Sequence, residues 1–392
     1  MRLLRLAPAF LTCLLILGSL AARATSPLDR GEAVTVTSPV GGVRLSGLLR
    51  LPAGPGPFPA AVLLPEHNAD GPSGTSANAQ LLSTLADYLV SQGVAVLRLQ
   101  ERGRGGSGGL ATAATLAERA ADAIAALNYL RTRPQLDVTR LGLIGHGEGA
   151  NVALLAGAQP LAPTFVVALA AAGLPGRELL ATQPAMYGKV LGPDTTDTQR
   201  PRESARALRA ADQEAARMRA NGSNAAQVQT YLDQQRLRQK MAVRRDEDAR
   251  VKHQRAMLEI VRQTADNAQA QAILANMLRQ RYPALAPTNV QASVQRLTTP
   301  AYRSFLAFDP QATLADVHCP VLLLQGDDDP EVNAAVNLAL LKKGLPRNAQ
   351  LTERRYPGAN HALQLATGPA TGAAAFAPDA PADIFAWILS QK

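Results

Sequence analysis

Apolar residues along this chain follow two alternating rhythms. Short, nearly continuous apolar runs suit buried strands: "FPAAVLLP" (58–65), "VAVLRLQ" (94–100), "RLGLIG" (140–145) and "TFVVALAAAG" (164–173). Between them lie longer segments with helical spacing. "NAQLLSTLADYLVSQG" repeats Leu81, Leu85 and Leu89 and stops at Gly93, while "TLAERAADAIAALNYLRTRP" puts Leu116, Ala120, Ile124 and Leu127 on one face. "ANVALLAGA" (150–158) predicts a third helix, rich in small residues. Ahead of these, "AVTVTS" and "VRLSGLLRLP" are β-like and joined by "PVGG", which predicts a hairpin.

The alternation resumes after residue 300. "CPVLLLQG" predicts a strand, "EVNAAVNLALLKKG" a helix, "AQLTERRYPG" a strand and "ADIFAWILSQK" a closing helix. Strands alternating with helices imply parallel pairing through right-handed crossovers, so the fold class is α/β. About 125 residues interrupt the sheet. This stretch, 175–299, is rich in Ala, Arg and Gln and poor in β-branched residues, which predicts several helices over one end of the sheet.

Composition refines this reading at three points. With 392 residues, 47% of them hydrophobic, the chain can bury a large core, and aromatics at 4% leave Ala, Leu and Val to fill it. The formal charge of +9 raises nucleic acid as a partner. However, the span Gly173–Thr299 alone carries 20 Lys+Arg against 12 Asp+Glu, interleaved with glutamines. That pattern is a solvated helix face rather than a phosphate-binding stripe, and no nucleic-acid partner is expected. Finally, no apolar stretch after the N-terminus is long enough to span a bilayer.

The N-terminus has the layout of an export signal. Arg2 and Arg5 precede an apolar run from Leu6 to Leu20, and Ala22-Arg23-Ala24 fits small-x-small cleavage after Ala24. The apolar run continues past Cys13, which argues against lipid attachment there. The expected organisation is a signal peptide at 1–24, a core at 25–174 and 300–392, and a helical lid insertion at 175–299. The mature chain then lies in the periplasm or outside the cell. Its one cysteine, Cys319, cannot form an internal disulfide.

In open α/β sheets, ligands bind beyond the carboxyl ends of the strands. Here those ends lead into "PEHNADGPSG", "QERGRGGSGG", "GHGEG", "GDDDPEV" and "PGANHAL". The order is a glycine-framed turn, then an acid, then a histidine, which is the chain order of α/β-hydrolase triads. Several segments extend the match: "LRLQERGRGGSGG", "IGHGEGA", "LAAAGLPGRELLATQ", "FLAFDPQATLADVHCPVLLLQGDDDPEV" and "YPGANHALQLATG". Together they resemble the α/β-hydrolase family over almost all of the chain, in particular a group of exported bacterial esterase-like and serine aminopeptidase-like proteins.

The resemblance implies a mostly parallel sheet flanked by helices, and it places site residues. Asp329 stands at the acid position, with Asp327 and Asp328 as lesser alternatives, and His361 stands at the base position 32 residues on. The acid would hold the imidazole in its tautomer and stabilise its cation. The backbone N–H of Glu148 would give half of an oxyanion hole.

Three departures cluster at the same place. Gly147 occupies the nucleophile position where the family pattern has serine. "PEHN" replaces a Gly/Ser-rich loop that supplies an oxyanion donor. Gln100 replaces an aspartate. No neighbour is an evident substitute nucleophile: Glu148 should point away, His146 should contact the sheet or the lid, and the family carries Ser107 without using it for attack. Glu66, His67 and Asp70 carry metal-ligating groups, but their spacing is not diagnostic, so no metal and no cofactor is expected. The expectation is an exported relative of carboxylic ester hydrolases, impaired at its nucleophile, holding a small apolar or ester-like ligand. The alternative is a hydrolase in which the His361–Asp329 pair activates water directly.

Overall fold

The computed structural model describes residues 31–66, 77–183, 199–346, 350–365 and 376–391. Eight strands form one sheet: β1 (Glu32–Thr37), β2 (Arg44–Arg50), β3 (Phe58–Leu64), β4 (Ala95–Leu99), β5 (Leu136–His146), β6 (Phe165–Leu169), β7 (Val321–Gly326) and β8 (Leu351–Tyr356). Their order across the sheet is β1-β2-β4-β3-β5-β6-β7-β8. β1 and β2 form the expected antiparallel hairpin, and β2 pairs antiparallel with β4. Every other pairing is parallel. The central strands are buried on both faces, which is why they read as continuous apolar runs rather than alternating ones.

Helices cover both faces. On one side α2 (Leu116–Arg131), α3 (Glu148–Gly157) and a later helix, Ala334–Gly344, pack onto Val62, Leu97, Leu143, Val166 and Leu323. On the other, α1 (Ala77–Ser91) and the closing helix, Ala380–Ser390, pack onto Leu63, Val96, Ile144, Val167 and Leu324. Strand residues alternate between the two sets, as the pleat requires. α2 begins at a capping box: the Thr115 side chain accepts from the N–H of Glu118, and the Glu118 carboxylate accepts from the N–H of Thr115.

Between β6 and β7 every described element is helical. The α-helices are α4 (Gly176–Thr182), α5 (Gln199–Ala220), α6 (Ala225–Gln263), α7 (Asn267–Arg281), α8 (Pro287–Leu297) and α9 (Pro300–Ala307), so the helical run extends past 299. These helices have an apolar cluster of their own, in which Met257, Leu258 and Val261 of α6 meet Leu274 and Leu278 of α7 and Val290, Val294 and Leu297 of α8. Leu180 of α4 and Leu306 of α9 join that cluster, next to the points where the chain leaves and re-enters the sheet. Between Leu232 and Arg250, α6 buries no residue, so its dense charges face solvent.

The turn between β5 and α3 sets the site. Gly147 has φ 56° and ψ −122°, a backbone conformation that side-chain-bearing residues rarely adopt. Its flanking glycines answer a different need, close approach. A β-carbon on Gly149 would lie 2.2 Å from the Leu64 carbonyl oxygen, and one on Gly145 would lie 2.2 Å from the Gly149 carbonyl oxygen. Both contacts are with backbone, so only glycine fits while β3, β5 and α3 keep their spacing.

Candidate active site

His361 lies in the loop after β8, and Asp329 lies in the loop after β7. The His361 Nδ1–H donates to Asp329 Oδ2 at 2.8 Å. Asp329 is fixed from three further directions. Its Oδ1 accepts from the backbone N–H of Glu331 (2.7 Å) and of Val332 (2.9 Å), and its Oδ2 accepts from the Gln325 side-chain amide (2.7 Å). Asp327, one of the alternatives for the acid, instead binds Arg355 at 2.7 Å. Because a carboxylate can only accept, the imidazole carries its proton on Nδ1 and directs Nε2 toward Gly147.

His361 Nε2 is buried and makes no hydrogen bond among the described residues. A β-carbon on Gly147 would stand 3.2 Å from it. The elbow thus aims the 147 position at the imidazole, although the glycine offers no atom to react. The Glu66 carboxylate is also close, with Oε2 3.9 Å from Nε2 and Cδ 3.3 Å from that β-carbon position. Burial disfavours the His361 imidazolium, but Asp329, through its hydrogen bond and charge, together with Glu66, outweighs it and raises the pKa above the ordinary histidine value.

His146 has a neighbour that the sequence did not reveal, the loop that carries His361. The ring sits 4.8 Å from the His361 ring, and Nε2 lies 2.9 Å from the His361 carbonyl oxygen. The pleat explains this, because His146 is the last residue of β5 and alternation puts it on the face opposite Gly145. Burial, then the charge of His361, push its pKa down to about 4, so His146 is neutral.

Glu148 finds a partner that the sequence did not reveal. Arg119 of α2 is buried and binds the Glu148 and Glu101 carboxylates and the Pro65 carbonyl oxygen. One guanidinium therefore ties together the loops after β3 and β4 and the start of α3. Gln100 braces its own loop by accepting from the Gly106 N–H at 2.7 Å. Ser107 is structural here: its hydroxyl donates to the Gln100 carbonyl and accepts from the Ser46 N–H. Of the metal-ligating group read from sequence, Glu66 is at the site, whereas His67 and Asp70 lie outside the described residues.

This sheet order, with its elbow, acid loop and histidine loop, is the α/β-hydrolase fold. The family model for serine aminopeptidases, S33, matches residues 73–286, and the chain belongs to that family. Among solved structures, a hypothetical protein from Pseudomonas aeruginosa is 16% identical with a TM-score of 0.51, covering 94% of this chain and 95% of that one. DcsB, solved with its substrate analogue, is 13% identical with a TM-score of 0.50, covering 92% and 99%. Est1E from Butyrivibrio proteoclasticus is 12% identical with a TM-score of 0.48, over 92% and 99%. Similarity at these identities is one of fold. Comparison with curated proteins found no match.

Proposed function

We propose that this protein is an exported relative of the carboxylic ester hydrolases whose serine acyl-enzyme route is closed, and that its site holds a small apolar or ester-like ligand. The observation that carries this is Gly147: the elbow directs position 147 to 3.2 Å from His361 Nε2, and only hydrogen is there. In serine hydrolases, loss of a triad member costs up to about a million-fold in kcat and leaves roughly 10³–10⁴ over water. The helices between β6 and β7 act as the lid in this reading.

One observation favours a second reading, hydrolysis of esters or small acyl compounds without a covalent intermediate. His361 Nε2 remains buried and without a hydrogen bond, and its Nδ1 remains held by Asp329. Such a nitrogen could take a proton from water as that water attacks a bound carbonyl.

A fluorophosphonate probe, which labels activated serines, separates both readings from a conventional serine hydrolase. The expected result is no labelled serine, and stoichiometric labelling at Ser107 or any other serine overturns the proposal. Turnover of p-nitrophenyl esters then divides the two readings. Background rates in the parent support a ligand-binding protein, whereas turnover that disappears in His361→Ala supports activated water.

Export has its own test. The reading rests on Arg2, Arg5, the apolar run Leu6–Leu20 and Ala22-Arg23-Ala24, all outside the described residues. Sequencing the N-terminus of protein recovered from the native cell should begin at Thr25. Intact protein starting at Met1 in the cytoplasm sinks it.

A further inference from the structure

We propose that Glu66, His146 and His361 form a binding site for one divalent transition-metal ion of the zinc type. A carboxylate oxygen of Glu66 and a ring nitrogen from each histidine all lie within 4.8 Å of one another. These residues come from the loop after β3, the end of β5 and the loop after β8. They are far apart in sequence and meet only in the fold.

The hydrogen bonds of the two imidazoles point to a ligand. His361 Nδ1 faces the Asp329 carboxylate, and His146 Nε2 faces the His361 carbonyl oxygen. Both oxygens can only accept, so those two nitrogens carry the protons. The lone pairs then sit on His361 Nε2 and His146 Nδ1. Both of these nitrogens are buried without a hydrogen bond. Buried polar atoms in native proteins are nearly always satisfied, so two orphaned nitrogens on neighbouring rings, with centroids 4.8 Å apart, call for a partner. Metal-binding histidines are held in this way, with the other ring N–H donating to a carboxylate or a backbone carbonyl.

The donor set selects the class of ion. Two imidazoles and a carboxylate suit zinc, or ferrous iron where positions remain open. Calcium and magnesium prefer all-oxygen sites. Charge agrees, because the Glu66 carboxylate beside the Asp329–His361 pair is electrostatically suited to a dication. Zinc–ligand bonds of about 2.0–2.2 Å place bound donors roughly 3.3–3.6 Å apart. The Glu66–His361 pair, at 3.9 Å, is near that already, and the widest donor pair, within 4.8 Å, has to draw in by roughly 1 Å on binding.

Gly147 belongs to the same argument. A β-carbon there would lie 3.2 Å from His361 Nε2 and 3.3 Å from Glu66 Cδ, between two of the proposed ligands. A side chain at 147 would fill the space an ion and its water need. Glycine removes the serine nucleophile and opens the metal position in one change.

The proposal goes beyond the function argued above, and its readout is binding rather than turnover. The full chain is stripped with a chelator, dialysed and titrated with zinc by calorimetry. One equivalent should bind and raise the melting temperature, as any ligand specific to the native state does. Glu66→Gln keeps the side-chain shape and should abolish this binding, as should His361→Ala. Asp329→Asn should weaken it about 10–100-fold, the usual effect of losing an outer-shell partner. Gly147→Ala should weaken it by crowding. His318→Ala, at an exposed position, should leave it unchanged. Circular dichroism establishes that each variant is folded, and Glu66→Gln remains informative even if the histidine variants are not. Binding well below one equivalent, or one equivalent unaffected by Glu66→Gln, overturns the proposal.

Discussion

Gly147→Ser should lower the stability of this protein and give it ester hydrolysis that depends on His361. The two effects have one cause. At φ 56° and ψ −122°, residue 147 is in a region that costs a side-chain-bearing residue about 1–3 kcal/mol. A β-carbon there also meets His361 Nε2 at 3.2 Å and Glu66 Cδ at 3.3 Å, so both side chains must give by a few tenths of an ångström. The melting temperature should fall by several degrees. The same geometry brings the new hydroxyl within reach of an imidazole already held by Asp329.

The gain in rate should be modest. An oxyanion hole needs a second donor besides the N–H after the nucleophile, and a missing donor costs about 10²–10³ in kcat. The loop after β3 instead brings a carboxylate, Glu66, to the site, and its charge opposes a developing oxyanion. The control is Gly147→Ser with His361→Ala, which should show no ester hydrolysis above the parent. The paired measurement is a melting curve and a p-nitrophenyl ester rate for each variant. If Gly147→Ser is as stable as the parent and gains no His361-dependent rate, the turn is not a disarmed nucleophile elbow.

The strands and helices of the core were legible because each rests on a local period that burial enforces. Val321–Gly326 reads as a buried strand and is one, and Leu81, Leu85 and Leu89 share the buried face of α1. β5 begins at Leu136, four residues before the apolar run starts, because Leu136 pairs with Phe58 and the polar stretch that follows is carried across a register shift before Leu141 pairs with Ala60. α9, Pro300–Ala307, is hidden in the sequence because it starts where the strand–helix alternation resumes. At the site, the spacing of Gly147, Asp329 and His361 was readable because each follows a strand end. The direction of a loop is not periodic, so nothing in "PEHN" said that Glu66 would turn toward His361. The same limit applies to His146: alternation gives the face of a residue but not which distant loop covers it. Arg119 was the hardest to find. In sequence it is one more charge on a helix, indistinguishable from Arg131 at the same helix's end, yet one is buried and the other is not.

Arg119→Met should be among the most destabilising single changes in the core. The guanidinium is 8% exposed and is shared among Glu148, Glu101 and the Pro65 carbonyl oxygen. Methionine fills much of the same volume, so the loss is electrostatic rather than a cavity. The two carboxylates, 18% and 14% exposed at their side chains, both lose the Arg119 guanidinium. Removing one partner of a buried pair costs about 3–5 kcal/mol, mostly because the remaining charge is desolvated and uncompensated. The arginine itself is less valuable than that figure implies, since replacing a whole buried ion cluster with neutral groups is often close to neutral. Arg119→Met with Glu101→Gln and Glu148→Gln should therefore recover most of the lost stability. The single variant should also loosen the loop that carries Glu66, because Arg119 anchors Pro65, the residue before it. Chemical denaturation of the parent, the single variant and the triple variant decides the matter. A single variant within about 0.5 kcal/mol of the parent, the range of ordinary surface changes, or a triple variant no more stable than the single one, refutes the assignment of Arg119 as the tie between the elbow and its two neighbouring loops.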